Sequence, residues 1–459
     1  MTDATTRLQK ARDEINLAEN AAIRLENAHK RGDTAKVGVE APIVRKALSR
    51  ALYATDAALK GNAPTPAPQP TPTPPPVSPP PDPQPEPAPQ PQPEPPPPHQ
   101  TPAPKPSGWL RTADVPVIPP SFDTAQFITT REPAPSAGED QAALRIDQPA
   151  TAISFIDPFF REMSDHSHDL FNRSATPISG EYADLVRTNN SIGEGRLING
   201  SWYAISSLLV QDMDGRWHVL IARYSIVYYK QAHPGHSDWA RDAAKGIIRA
   251  DLPRGLKALG GIRHYRDPNQ WRFGNDPVGH APCNYMVNRP DGSELKTWKL
   301  DDILPFLKLG GRIQVNIDFP TYWDGTHSDS PDHRAHLLHR PTATHIYSIP
   351  HVTMHAAYDL PMFPIQRIVC SADLRADGTL KGVPGEETHG YFWEGWVDEF
   401  LQRMHRTNFD RNLSTSNGGF GDGTTLIGRD RRLDPKPVSV PYDVVRAAPD
   451  GEFNLIGLK

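Results

Sequence analysis

Eighteen histidines are spread along 459 residues, and several sit at spacings that chemistry uses. His166-Ser167-His168-Asp169 sets two imidazoles two residues apart, which on a strand places both on one face. The stretch 318–339, DFPTYWDGTHSDSPDHRAHLLH, crowds Trp323, Asp324, His327, Asp329, Asp332, His333, His336 and His339 together. Within it His333 and His336 stand three apart, the spacing of one helical turn. Thr344-His345 and His389-Gly390-Tyr391-Phe392 complete the set. Imidazole suits proton transfer near neutrality and the binding of borderline metals. In the acid–base reading His168, His333 and His389 react, and Asp332 orients one of them. Trp323, Asp324, Tyr391 and His345 then bind substrate. In the alternative, His166, His168, His333 and His336 hold a divalent metal. A hydrogen-bond network that braces long loops is the third reading of the same residues. The expectation is that His166, His168, Asp324, Asp332, His333, His336, His345 and His389 converge in one cleft.

Residues so placed need elements to carry them. The 318–339 stretch has no hydrophobic period, so it reads as a polar loop hung on the apolar run that precedes it. From 108 to 459 strand-like runs dominate, at 201–209, 217–229, 312–319, 351–358 and 365–372. Bulky residues run almost without break from Tyr224 to Tyr229, as in a strand buried on both faces. Short helices are expected at 300–307 and 392–404, the second with Trp396, Val397, Phe400, Leu401 and Met404 on one face. The expected fold is mainly β, a sandwich or jelly roll with long loops.

Two other segments precede it. Residues 1–62 carry an alanine-rich heptad seam from Leu8 to His29 and a second amphipathic run from Pro42 to Gly61, which together predict an αα-hairpin. A module this small predicts self-association, a homo-oligomer, or docking onto an assembly. Nearly half of the 51 prolines fall within 63–107. Proline fixes φ and removes donors, so that segment is expected to be an extended polyproline spacer, spanning roughly 140 Å if fully drawn out.

Charge and cysteine content bound the function. Net charge is −5, which argues against a nucleic-acid partner. No apolar run is long enough to span a bilayer, and the first twenty residues lack a secretory layout, so synthesis in the cytoplasm is expected. Cys283 and Cys370 allow one disulfide at most. No P-loop, GxSxG, HExxH or paired-cysteine motif is present. The glycine-rich 417–423 run follows no clear strand and reads as a loop.

Taken together, these motifs resemble a secreted fungal and bacterial family, domain of unknown function nineteen ninety-six. Its SHxHxFFG motif is similar to His166-Ser167-His168-Asp169-Leu170-Phe171-Asn172. Its PPGLRMIAG segment is echoed from Pro253 to Gly261. Its FPSCWDGxNxDSPDHxxH resembles Phe319-Pro320-Thr321-Tyr322-Trp323-Asp324-Gly325 with Asp329-Ser330-Pro331-Asp332-His333 and His336. Its HADFxxxW is similar to His389-Gly390-Tyr391-Phe392 through Trp396. The resemblance covers about 150–405. Tyr322 replaces a family cysteine and Tyr391 a family aspartate, and the missing cysteine fits a copy outside the oxidising route. The resemblance implies no reaction.

Two functions from different classes follow. One is a hydrolase or lyase acting on an extracellular polysaccharide, with Trp323, Trp202 and Trp271 stacking on sugars. The other is a non-enzymatic adhesin or metal-binding protein. A helical anchor, a long spacer and a domain of a secreted type without a secretion signal suit a bacteriophage tail or virion protein that meets a surface glycan outside the cell.

Overall fold

The computed structural model describes residues 109–130, 136–137, 141–160, 162–177, 179–232, 237–267, 281–415, 418–427 and 437–456. The expected hairpin 1–62, the spacer 63–107 and Trp271 lie outside the described residues. What is described is mainly β. Ten strands form the backbone of one large sheet: β1 Gln141–Asp157, β2 Glu162–Phe171, β3 Trp202–Ser206, β4 Ala222–Ala232, β5 Lys257–Gly261, β6 Cys283–Asn288, β7 Glu294–Thr297, β8 Arg312–Asp318, β9 His351–Asp359 and β10 His389–Trp393. Their order across the sheet is β5-β10-β3-β2-β1-β4-β9-β8-β6-β7, and neighbours along it run antiparallel.

Strand β1 belongs to both halves. Its first part, Gln141 to Pro149, pairs with β4, and its second part, from Ala150, pairs with β2. Pro149 stands where the partner changes, the place where a strand can do without an N–H. That proline interrupts the sequence pattern, which is why this longest strand was not expected.

The sheet curls until one edge meets its own face. A Cβ on Gly260 of β5 would lie 2.8 Å from the Ile317 side chain of β8, and one on Gly390 of β10 would lie 3.1 Å from it. Only glycine lets the layers close to that distance. Between them sits the main core, including Ile146, Ile205, Val227, Tyr229, Tyr285, Val315, Met354 and Phe392. A second apolar cluster covers the outer face of β2, β3, β10 and β5: Leu170, Trp202, Ala204, Tyr391, Trp393 and Leu259, with Phe159 and Val115 against them.

Several sequence expectations change shape. Strand β4 alternates buried and half-buried residues instead of being buried on both faces, because only one side meets the core. The run 217–229 is two strands: Trp217–Leu220 pairs with Leu208–Gln211, and β4 begins at Ala222. The helix expected from 392 starts only at Asp398, since Phe392 and Trp393 end β10. The turn between them is fixed by Glu394, whose carboxylate accepts the Gly255 and Trp396 N–H groups at 2.6 Å each. Over 300–307 one α turn, Leu300–Ile303, gives way to a 3-10 turn where Pro305 enters.

Candidate functional site

Strand alternation puts His166 and His168 on the outer face of β2. The register sets His168 opposite Ser206 of β3, and Gly390 opposite Ile205, so His389 continues the same cross-strand row. Ser206 is too small to fill the gap, and the imidazoles from both sides lean over it. His389 Nε2 lies 3.2 Å from His166 Nε2 and 3.1 Å from His168 Nε2. All three rings are buried. Tyr391 lines one side, its ring 5.1 Å from His168 and 5.3 Å from His389, and its hydroxyl donates to Asp157 at 2.6 Å.

The outer nitrogens fix the tautomers. His389 Nδ1 donates to the Glu387 carbonyl at 2.7 Å. His166 Nδ1 meets the Asp165 carboxylate at 2.6 Å. Each neutral ring therefore carries its proton on Nδ1 and turns a bare lone pair inward on Nε2. Even if His168 donates Nε2–H to His389, the His166 and His389 lone pairs still face each other. A proton between them is disfavoured: burial lowers the His389 and His168 pKa values far below the ordinary imidazole value, with the Arg263 guanidinium adding to it. Asp165 is held well below the carboxylate range, first by His166 and also by Lys381, so it stays ionised behind the ring.

The histidines of the 318–339 loop are placed differently. His333 Nδ1 meets Asp329 at 2.6 Å and its Nε2 meets the Phe159 carbonyl at 3.0 Å. His336 bonds the Ser330 hydroxyl at 2.9 Å and the Lys257 carbonyl at 2.8 Å. His345 bonds the Thr342 and Thr344 hydroxyls through Nδ1 and the Ala335 carbonyl through Nε2. Both nitrogens of His333, His336 and His345 are spent, which leaves these three no lone pair for a metal. The structure thus brings His166 and His168 together with His389, and sets His333 and His336 in a separate bracing network. Asp332 accepts from Ser330 and from the Arg334 and Ala335 N–H groups, capping the turn; Asp329, not Asp332, orients a histidine. Trp323 donates to the His327 carbonyl at 2.6 Å, and Asp324 caps the WDG turn.

A family model, Domain of unknown function (DUF1996), matches residues 157–396 and so takes in the whole triad and the whole loop. The chain belongs to this family. No curated protein and no solved structure matches it. The DUF1996 segment also holds groups that the motifs did not single out. His264 stacks edge-on against His389 at 5.4 Å, its Nε2 is buried without a hydrogen bond, and burial lowers its pKa to about 3. It follows directly on the Pro253–Gly261 motif, the only sequence signal that could have marked it. Arg263 beside it keeps a buried Nη1 with no hydrogen bond. Lys257 is buried, bonded to Gly180 O and paired with Asp329 at 3.1 Å, with its ammonium over the Phe159 and Trp393 rings. That network seals the outer face of the DUF1996 sheet beside the triad.

Proposed function

We propose that the DUF1996 domain is a metalloprotein in which His166, His168 and His389 bind one divalent first-row transition ion. The observation that carries this is the pair of inward lone pairs 3.2 Å apart, each fixed by a proton on the opposite nitrogen. Metal–imidazole bonds of 2.0–2.1 Å imply N···N edges of about 3.3 Å in a tetrahedron and about 2.9 Å in an octahedron, and the separations here fall between. A carboxylate behind one ligand and a carbonyl behind another are the supports such ligands have. Three protein ligands leave a coordination position open, the arrangement of catalytic sites. The ion would supply Lewis acidity and an activated water there. Arg263 would hold an anionic group beside it.

For what the domain acts on, the proposal follows the sequence: hydrolysis or elimination on a surface polysaccharide, by a sandwich-like domain displayed on a proline spacer, as on a virion. A non-enzymatic metal-binding adhesin is the alternative. The first test is metal content. The full chain, stripped with chelator and titrated with Zn²⁺ or Co²⁺, should take up one ion, with Co²⁺ giving the visible absorption of nitrogen ligation. No stoichiometric uptake, or uptake that survives His389→Ala, would sink the proposal.

A further inference from the structure

One histidine in the 318–339 loop breaks the pattern of its neighbours. His327 Nδ1 donates to Asp324 Oδ2 at 2.6 Å, while Asp324 Oδ1 accepts the Thr326 and His327 N–H groups at 2.8 and 2.9 Å. A carboxylate only accepts, so Nδ1 carries the proton and the neutral ring turns its lone pair to Nε2. That Nε2 has no partner among the described residues, and the side chain is 25% exposed. A bracing histidine uses both nitrogens, as His333, His336 and His345 do a few residues further on. The amide bonds to Oδ1 would hold the turn without any imidazole.

The turn is built to keep this pair in place. Gly325 has φ +81°, and a Cβ there would fall 2.3 Å from the Tyr347 ring. The strand Leu110–Arg111 pairs with His327–Asp329, and Thr112 N donates to the Thr326 carbonyl at 2.9 Å. That ladder brings Trp109 against His327, with ring centroids 4.7 Å apart and the tryptophan 47% exposed. Arg111 of that strand and Asp114 of the turn after it are exposed and paired with each other at 3.4 Å.

We infer that Trp109, His327 and Asp324 form a second, solvent-facing site that takes a neutral sugar ring. The indole supplies a flat apolar platform, and His327 Nε2 accepts one hydroxyl, with Asp324 as its positioning residue. The site offers an anion no unpaired cation among the described residues, because His327 Nδ1 is turned onto Asp324 and Arg111 is already paired. The site shares its ligand class with the proposed function but none of its residues.

The test therefore uses the full chain with chelator present, followed by intrinsic tryptophan fluorescence and calorimetry. The probes are cellohexaose, laminarihexaose and N-acetylchitohexaose. At least one should bind saturably, and Trp109→Ala and His327→Ala should each weaken it at least tenfold. His389→Ala should leave it unchanged. Trp109 sits at an exposed strand end, so its loss does not threaten folding; a melting curve on His327→Ala separates lost binding from a lost turn. Failure of all three probes to bind saturably, or binding that survives Trp109→Ala, overturns the inference. Either result leaves the triad proposal to its own metal titration.

Discussion

Two groups of histidines sit within one family segment and do opposite things. On the sheet, His166, His168 and His389 reach across Ser206 and leave lone pairs facing one another. In the loop, His333, His336 and His345 have both nitrogens bound to protein groups. Both groups are buried, so burial does not separate them. What separates them is the count of uncommitted acceptors. A histidine braces when its partners already exhaust its ring, and offers a site when one nitrogen is held and the other is left bare.

That contrast is open to attack. The largest effect should come from His389→Ala, which removes the ligand common to both short N···N contacts. Metal content measured by mass spectrometry should fall from one ion per chain to background, whereas His336→Ala should keep its ion. Next is Asp165→Asn, which retains the ring and weakens its support. Metal affinity should drop roughly 10- to 100-fold in competition with a chelator of known strength. On the loop side, His333→Ala removes the hydrogen bonds to Asp329 and to the Phe159 carbonyl. Urea unfolding should show a loss of about 1–3 kcal/mol with metal uptake intact. If His333→Ala instead abolished uptake, the two groups would be one site.

The smallest effect concerns a bracing histidine outside both groups. His405 accepts the Leu252 N–H on Nε2 at 3.1 Å and turns Nδ1 toward Asp251 at 3.0 Å. Burial lowers its pKa to about 3, against about 6.5 when free. Between those values the unfolded chain binds a proton that the folded chain refuses. Its contribution is therefore present above about 6.5 and is lost as pH falls toward 3. Asp169, pushed up to about 7 by burial, has the opposite sign: its folded form keeps a proton that the unfolded chain loses above about 4, so its contribution fades as pH rises. The useful measure is thus the gap between wild type and His405→Gln, which should narrow from pH 7 to pH 5 in thermal melts.

Two of the three triad histidines are legible from spacing, and His389 enters the expected cluster only through its motif. His-x-His at 166 and 168 follows from the two-residue period of a strand, and the polar loop after β8 follows from the apolar run before it. His389 joins them through a register across three strands, which no local spacing records. The groups that tell a ligand from a brace include the carbonyls of Glu387, Phe159, Lys257 and Ala335. Every residue has a carbonyl, so nothing in residue type could mark these four. In the same way Pro149 hid β1: a proline in mid-strand argues against a strand unless the strand changes partners there. His-x-x-His at 333 and 336 implied a shared target, and the loop instead turns at His333, whose φ is +53°.

The separation of 221 residues between His168 and His389 also sets an order of events during synthesis. At ribosomal rates of roughly 5–20 residues per second, β2 would leave the ribosome roughly 10–45 s before β10. In that interval two histidines and the apolar outer face of a hairpin stand without their closing strand. On the proposed metal reading a nascent chain in that state has two of its three ligands, and it offers chaperones a sticky surface. Tight loading would then serve as a mark of completed translation.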